Sequence, residues 1–529
     1  MVFKRFQNTS PALNNTLIYL GAPEAEAEAL NSSKIPLKEI YKDYCGLARQ
    51  LESEKFILIG RKGSGKSAFA EYIKGIAETD PNIFVSSIKQ NDSNLERLVQ
   101  IGGVEGHTFE RENLYKWIIY TKILKLFTQN QAALQSKEYS LLEQFLKKNS
   151  GYIDIRESEI KELVSKQGWE ISTEYLKRFM SGRFTKANEI KQQKAPFYKL
   201  LPHLQEVILN VFKSDTEIEN NNDYIIFFDD LDISFDANND STVEGLMSLL
   251  RVTKEINNEI FDKNKINAKV VILLRDDIAK NISSVKPDSA KMFSSYAVYI
   301  NWYQDLYQSK ENELLINLRK LINDRIKYSF EYNNLTANIE DPWKSLVQEP
   351  FYSNEIRNNP AESKTSFKYI LDHTFFRPRD LILFFKPLSL NPYELPLNRE
   401  SVNNLIGQYC QEVVLEIRNE LSNFYDKIEI ETIFIALGEI YTEIKKDDNN
   451  SISYAKAVEI IQDSCGTNVN PHILLEDLFE RSLIGNISSN TFVYFKHREP
   501  NNDSYKLNKS YNIILHSAIR AFSFNKGYS

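Results

Sequence analysis

Phe56-Ile57-Leu58-Ile59-Gly60-Arg61-Lys62-Gly63-Ser64-Gly65-Lys66-Ser67 decides how the chain is read. An apolar run enters a glycine-rich turn, and the turn enters a helix-forming segment, Ala68-Phe69-Ala70-Glu71-Tyr72-Ile73. The turn fits G-x-x-x-x-G-K-[ST], with Gly60, Gly65, Lys66 and Ser67 at the fixed positions. A polyphosphate needs a ring of backbone N–H donors at close range, so side chains must be absent where the loop wraps it. Gly60, Gly63 and Gly65 supply that freedom, and the helix that follows aims its N-terminal dipole at the anion. The whole loop, Gly60 with Arg61, Lys62, Gly63, Ser64, Gly65, Lys66 and Ser67, is therefore the expected nucleotide-binding element. Lys66 is expected on the β/γ-phosphates, and the Ser67 hydroxyl on Mg²⁺.

A chain of 529 residues exceeds what one core organises, so two to four domains are expected. A net charge of −7 excludes a globally basic nucleic-acid coat but not a local basic patch. Cys45, Cys410 and Cys465 stand far apart and form no C-x-x-C pair, which argues for a reducing compartment and against structural zinc. No apolar h-region follows the N-terminus, and no apolar run approaches the roughly 18 residues of a membrane span. The expectation is a cytoplasmic protein with no membrane partner.

Outward from the loop, residues 1–36 read as a loose N-terminal extension with a short helix in Ala22–Leu30. Leu37–Leu51 reads as one helix, with Ile40, Tyr44, Leu47 and Leu51 at helical spacing. Ile83–Ile88 reads as a second strand. From 91 to 222 the pattern turns helical: Leu114, Trp117, Ile118, Leu124 and Phe127 share one face, Ile160, Leu163 and Val164 begin another, and Phe197–Phe212 forms a third. This is a helical insertion with no strand of quality. Its Lys186, Lys191, Lys194 and Lys199 fit a solvated face better than a binding surface.

Tyr224-Ile225-Ile226-Phe227-Phe228-Asp229-Asp230-Leu231-Asp232 is an apolar strand that delivers carboxylates to its carboxyl edge. Asp229 is the expected Mg²⁺ residue. Asp230 is the expected residue for orienting or deprotonating a water, with Asp232 its competitor. Lys269–Leu274 repeats the pattern and ends in Arg275. That arginine either senses the γ-phosphate or only pairs with Asp229 or Asp277. Val298–Trp302 is a short fifth strand, and the helix Glu311–Ile326 closes an ATPase domain over 37–326.

A linker and helical domain, 327–425, carries Arg377-Pro378-Arg379-Asp380. Proline there suits a helix N1 position with Asp380 in the first turn. Arg379 at that helix start reaches a nucleotide only if two domains close; the alternative is an interface salt bridge. Residues 426–529 show three apolar-periodic segments, Ile430–Ile444, Tyr454–Ile461 and Ile473–Leu483. Two alternating runs, Ile484–Ile487 and Phe492–Lys496, follow, and Ile513–Phe522 closes the domain. That is the winged-helix order, with Lys496, His497 and Arg498 at the wing. Glu476, Asp477 and Glu480 make the third helix too acidic to suit a DNA groove, so packing or partner binding is favoured over DNA.

The loop, Phe227–Asp232, Leu274–Asp277 and Arg377–Asp380 together resemble the bacterial P-loop ATPases of the additional-strand class, close to AAA+ and STAND/KAP-type NTPases, over roughly 37–525. The resemblance implies an α/β fold: a parallel five-stranded core in the order 5-1-4-3-2, then a helical segment and a C-terminal winged-helix-like domain. It also implies ATP with Mg²⁺, switching tied to homo-oligomerisation, and a separate effector or sensor protein in anti-phage defence loci. The glutamate usual after the Walker B aspartate is here Asp230, one methylene shorter, which implies slow hydrolysis or a switch driven by binding. A DNA-dependent ATPase is the competing reading, and a metabolic kinase is a weaker third.

Overall fold

The computed structural model describes residues 17–525 apart from 90–107, 131–136, 151–169, 182–193, 218–221, 232–234, 236, 238, 309–311, 350–364, 447–449, 467–468, 489–492 and 500–504. Asp232, Ile160, Leu163, Val164, Lys186 and Lys191 lie outside the described residues. Two compact units emerge. One comprises Gly46–Lys62 and Lys66–Ile300; the other comprises Met1–Cys45, Gly63–Gly65 and Asn301–Ser529.

The first unit is built on a parallel sheet. Its strands are β1 (Ile57–Gly60), β2 (Ile83–Lys89), β3 (Asp223–Asp229), β4 (Ala268–Arg275) and β5 (Ala297–Tyr299), in the order β2-β3-β4-β1-β5. Read from the other edge this is 5-1-4-3-2, the order the resemblance implies. β1 is buried throughout, and β3 and β4 bury nearly every residue of their carboxyl halves. Such runs suit parallel strands covered on both faces. Register aligns Gly60 with Arg275 and Lys89 with Asp229, so loop, acid and base end on one sheet edge.

The insertion holds the helices Thr108–Phe127, Lys137–Lys148, Glu174–Ser181 and Phe197–Glu217. Phe127, Phe212 and Tyr224 pack ring against ring, Phe127 to Phe212 at 5.3 Å and Phe212 to Tyr224 at 4.8 Å, which fixes the insertion to β3. Contrary to the strand-free expectation, Glu170–Ser172 and Lys194–Pro196 form a short antiparallel pair. The helix Asp240–Glu255 is capped by the Asn239 side chain on the Ser241 N–H and continues as a π-helical turn, Ile256–Phe261.

In the second unit, Ala25–Ala29 is helical and Glu28 forms a buried bidentate pair with Arg325, at 2.6 and 2.8 Å, on the helix Asn317–Tyr332. Leu37–Leu51 is not one helix. Leu37–Ile40 stops at Tyr41, whose ψ is 132°, and Leu47–Leu51 restarts after Gly46 at φ +65°. Helical spacing survives across the break, but a left-handed glycine cannot sit inside an α-helix.

The polar stretch after 333 contains a buried turn of helix, Trp343–Leu346. Pro378–Phe385 and Arg399–Leu421 follow, then Lys427–Lys446, Tyr454–Cys465 and Pro471–Glu480. The C-terminal sheet is antiparallel and three-stranded, with β6 (Ile484–Ile487) between β7 (Val493–Tyr494) and β8 (Asn512–Leu515). The closing segment Ile513–Phe522 divides into strand, Asn512–Leu515, and helix, Ser517–Asn525. Lys496 and His497 are not displayed at a wing. Lys496 is 2% exposed, donates to the Tyr505 carbonyl at 2.9 Å and faces Glu480 at 3.6 Å, while the His497 ring stacks on Phe376 at 5.1 Å. Cys45, Cys410 and Cys465 are thiols, not joined in disulfides. Among the described residues no helix is long and apolar enough to cross a membrane.

Candidate nucleotide site

β1 delivers Gly60 to the loop, and Lys66 opens the helix Lys66–Ala77. Gly63 at φ +77° and Gly65 at φ +98° make the two turns that an L side chain resists. Among the described residues a Cβ on Gly65 would meet nothing within 4 Å. Among the described residues the buried Ser64 hydroxyl has no hydrogen-bond partner. Arg61 and Lys62 are half-buried on the rising arm. Lys66 is 9% exposed, and its Nζ donates to the carbonyls of Gly60 at 2.7 Å and Arg61 at 3.1 Å. A left-handed glycine loop, a buried Ser64 hydroxyl with no partner among the described residues and an ammonium resting on the loop's own carbonyls fit a polyphosphate.

Asp229 ends β3 at 5% exposure. Its carboxylate accepts the Asp230 N–H at 2.9 Å and the Ser67 hydroxyl. Burial pushes the Asp229 carboxyl above its ordinary range. The Ser67 and Asp230 hydrogen bonds and the charges of Lys66 and Lys89 pull the other way without cancelling it. A cation beside Ser67 and Asp229 would supply the charge that this buried carboxylate lacks. Asp230 takes a left-handed φ of +57°, which aspartate tolerates better than most residues, and its carboxylate lies 4.0 Å from Lys89 Nζ. Arg275, in register with Gly60, is 6% exposed and grips Asp277 with Nε at 3.0 Å and Nη2 at 2.5 Å. The pairing half of its expected alternatives is thus present, and so is the placement beside the loop strand.

In the second unit Pro378 occupies the first turn of its helix, and the Asp380 carboxylate accepts the N–H groups of Phe375 at 3.0 Å and Arg377 at 3.1 Å. Arg377 is buried. Desolvation opposes its charge, but Asp380, Glu420 and Glu416 outweigh it and hold the guanidinium firmly protonated. Its Nη2 meets Asp380 at 2.7 Å. Arg379 points elsewhere. Its backbone N–H reaches the Gly63 carbonyl at 3.4 Å, its Nε donates to the Pro23 carbonyl at 2.9 Å, and Nη1 lies 3.7 Å from Glu416. A Cβ at Gly63 would fall 2.9 Å from the Arg379 Cβ, so only glycine fits.

Residues 316–391 match the family described as the FunZ-associated C-terminal helical domain. That span contains Arg377–Asp380. No curated protein matches the chain. Among solved structures, the Aeropyrum pernix ORC2 protein in its ADPNP–ADP complexes is 12% identical, covering 99% of this chain and 98% of that one, with a TM-score of 0.30. Its ADP form is 13% identical over 94% and 95%, with a TM-score of 0.28. Overlap that low carries no argument about this chain.

Sequence reasoning missed Lys89, Trp302 and Glu416. Lys89 is signalled only by strand register with Asp229. The Trp302 indole donates to the Ser64 carbonyl at 2.8 Å across a separation of 238 residues, which no local pattern reveals.

Proposed function

We propose that the chain binds Mg²⁺·ATP on Gly60–Ser67 and hydrolyses it slowly, as a switch that regulates or assembles a protein partner. The observation that carries this reading is the Ser67 hydroxyl on the Asp229 carboxylate, at the carboxyl edge of a sheet in the 5-1-4-3-2 order. It supports a cation position between a loop hydroxyl and a strand-end acid.

The bound metal would supply positive charge to phosphate oxygens. The chain's residues do the rest. Backbone N–H groups of the loop bind the phosphates. Lys66 exchanges the Gly60 and Arg61 carbonyls for phosphate oxygens. Asp229 and Ser67 would hold the metal. Asp230 orients the water and takes its proton, with Asp232 as the competing acid. The short Asp230 side chain favours slow turnover. Arg275 steadies the loop-side edge through Asp277 or turns to the γ-phosphate. Arg379, whose backbone meets Gly63, is the arginine that responds to nucleotide. A homo-oligomer and an effector in bacterial anti-phage defence follow from the resemblance.

DNA-dependent turnover through a C-terminal winged helix is the second reading. The burial of Lys496 against Glu480, and the binding of Asp477 by Tyr425 at 3.0 Å and Arg481 at 2.9 Å, favour protein packing over DNA. Phosphate release from ATP by the full chain, with and without double-stranded DNA, is the test. The proposal expects slow turnover that DNA leaves unchanged. Acceleration by DNA selects the second reading, and absence of both ATP binding and turnover overturns both.

A further inference from the structure

The carbonyls of the loop are held in consecutive order. Gly63 O accepts the Arg379 N–H at 3.4 Å, and Ser64 O accepts the Trp302 indole N–H at 2.8 Å. In a trans peptide the C=O and the following N–H point in opposite directions. A carbonyl tied down on one side therefore aims the next amide at the other. Fixing Gly63 O aims the Ser64 N–H, and fixing Ser64 O aims the Gly65 N–H. Those are two of the donors that a phosphate-binding nest needs. Between the left-handed Gly63 and Gly65 the peptide planes have unusual freedom to rotate, so an outside restraint is needed to keep them aligned.

Trp302 is built for that restraint. It is 9% exposed, and its ring packs on Tyr44 at 6.3 Å. Tyr44 is held in turn, its hydroxyl on Asp324 and its carbonyl by Asn317 Nδ2 at 2.9 Å. The indole has a single donor, and it is spent on Ser64 rather than on solvent.

We propose that Trp302 is a positioning residue for nucleotide binding: its indole N–H holds the Ser64 carbonyl and so presets the Gly65 N–H toward phosphate. This rests on the nucleotide reading above. It also makes a residue far from the motif a determinant of affinity.

The test is titration of the full chain with a fluorescent ATP analogue and Mg²⁺, comparing the unaltered protein, Lys66→Ala, Trp302→Phe and Trp302→His. Losing one preset hydrogen bond to a buried carbonyl is expected to weaken affinity about tenfold in Trp302→Phe, with Tm lowered by only a few degrees. Trp302→His, which keeps a ring N–H donor, should recover part of that loss. Failure of the unaltered protein to bind, or equal binding by Lys66→Ala, defeats the nucleotide reading itself. Normal binding by the unaltered protein with a Lys66→Ala defect, but no change in Trp302→Phe, overturns the positioning role alone. An affinity loss that follows a fall in Tm, with no recovery in Trp302→His, also overturns it. If Trp302→Phe does not fold, the unaltered chain labelled with ¹⁵N at its four tryptophans supplies the answer. One indole N–H resonance must shift on adding ATP and stay fixed in Lys66→Ala; four unmoved resonances overturn the proposal.

Discussion

Substituting lysine at Arg379 and at Arg377 separates an arginine that responds to nucleotide from one that holds the fold. Arg377 is 3% exposed and forks onto Asp380 through Nε and Nη2, with Glu420 at 3.4 Å. Lysine keeps the charge but loses the planar fork. The charge-assisted bonds lost are worth about 2 kcal/mol. At about 2–4 °C per kcal/mol, Tm should fall by roughly 4–8 °C. Arg379 is different. Its side chain makes one bond to the Pro23 carbonyl and a 3.7 Å contact with Glu416. Losing these costs about 1 kcal/mol, so Tm should move by no more than roughly 4 °C. An arginine acting on transition-state charge contributes roughly 10³–10⁵ in turnover. Arg379→Lys should therefore keep ATP bound and lose turnover by that order at near-normal Tm. Phosphate release, calorimetric binding and differential scanning fluorimetry on the same preparations give the three numbers. Turnover that survives in Arg379→Lys, or falls only in step with Tm, refutes the assignment. Loss confined to Arg377→Lys at full Tm would move the role to the neighbouring arginine. If neither changes turnover or the ATP-dependent hydrodynamic size, the switch reading fails.

Three further outcomes are expected. Asp230→Asn should retain ATP and stop its cleavage, seen by calorimetry with phosphate release; the same phenotype in Asp232→Asn instead would shift the role within the turn. Gly63→Ala should weaken ATP binding strongly, because its Cβ collides with Arg379 at 2.9 Å and the residue sits at φ +77°; normal affinity would mean that the loop tip does not touch Arg379 in solution. Burial raises the folded-state pKa of Asp229, so the folded protein holds that proton more tightly than the unfolded chain. Its contribution is then greatest below the unfolded value of about 3.9 and is lost as pH rises through the raised value. The nucleotide-free Asp229→Asn protein should accordingly melt higher than the unaltered one at pH 8, with the gap closing toward pH 4; a gap of opposite sign would contradict the burial argument.

Much of the site is written in short-range pattern. The loop, the acids at the end of β3 and the Arg377–Asp380 cap each depend on residues within a few positions, so spacing reveals them. The sheet order came through resemblance, since strand adjacency is a long-range property. What stayed hidden is long-range or depends on burial. Pro23 and Arg379 meet across 356 residues through a backbone carbonyl, which leaves no residue-type signal. Lys496 and His497 look like a basic wing because sequence shows charge but not the Glu480 and Phe376 that enclose them. Ile513–Phe522 reads as one closing apolar segment because its strand and its helix follow each other within two residues. Leu37–Leu51 kept helical spacing through a break that the extended Tyr41 and the left-handed Gly46 make in the backbone.

The most direct test of the central claim is steady-state phosphate release from Mg²⁺·ATP by the purified full chain and by Lys66→Ala, each checked by circular dichroism. The Lys66 ammonium now rests on the Gly60 and Arg61 carbonyls, facing the loop rather than the apolar core. The account predicts turnover in the unaltered chain and a fall on the order of 10²–10³ in Lys66→Ala, with the spectrum unchanged. Equal turnover in the two proteins would contradict it.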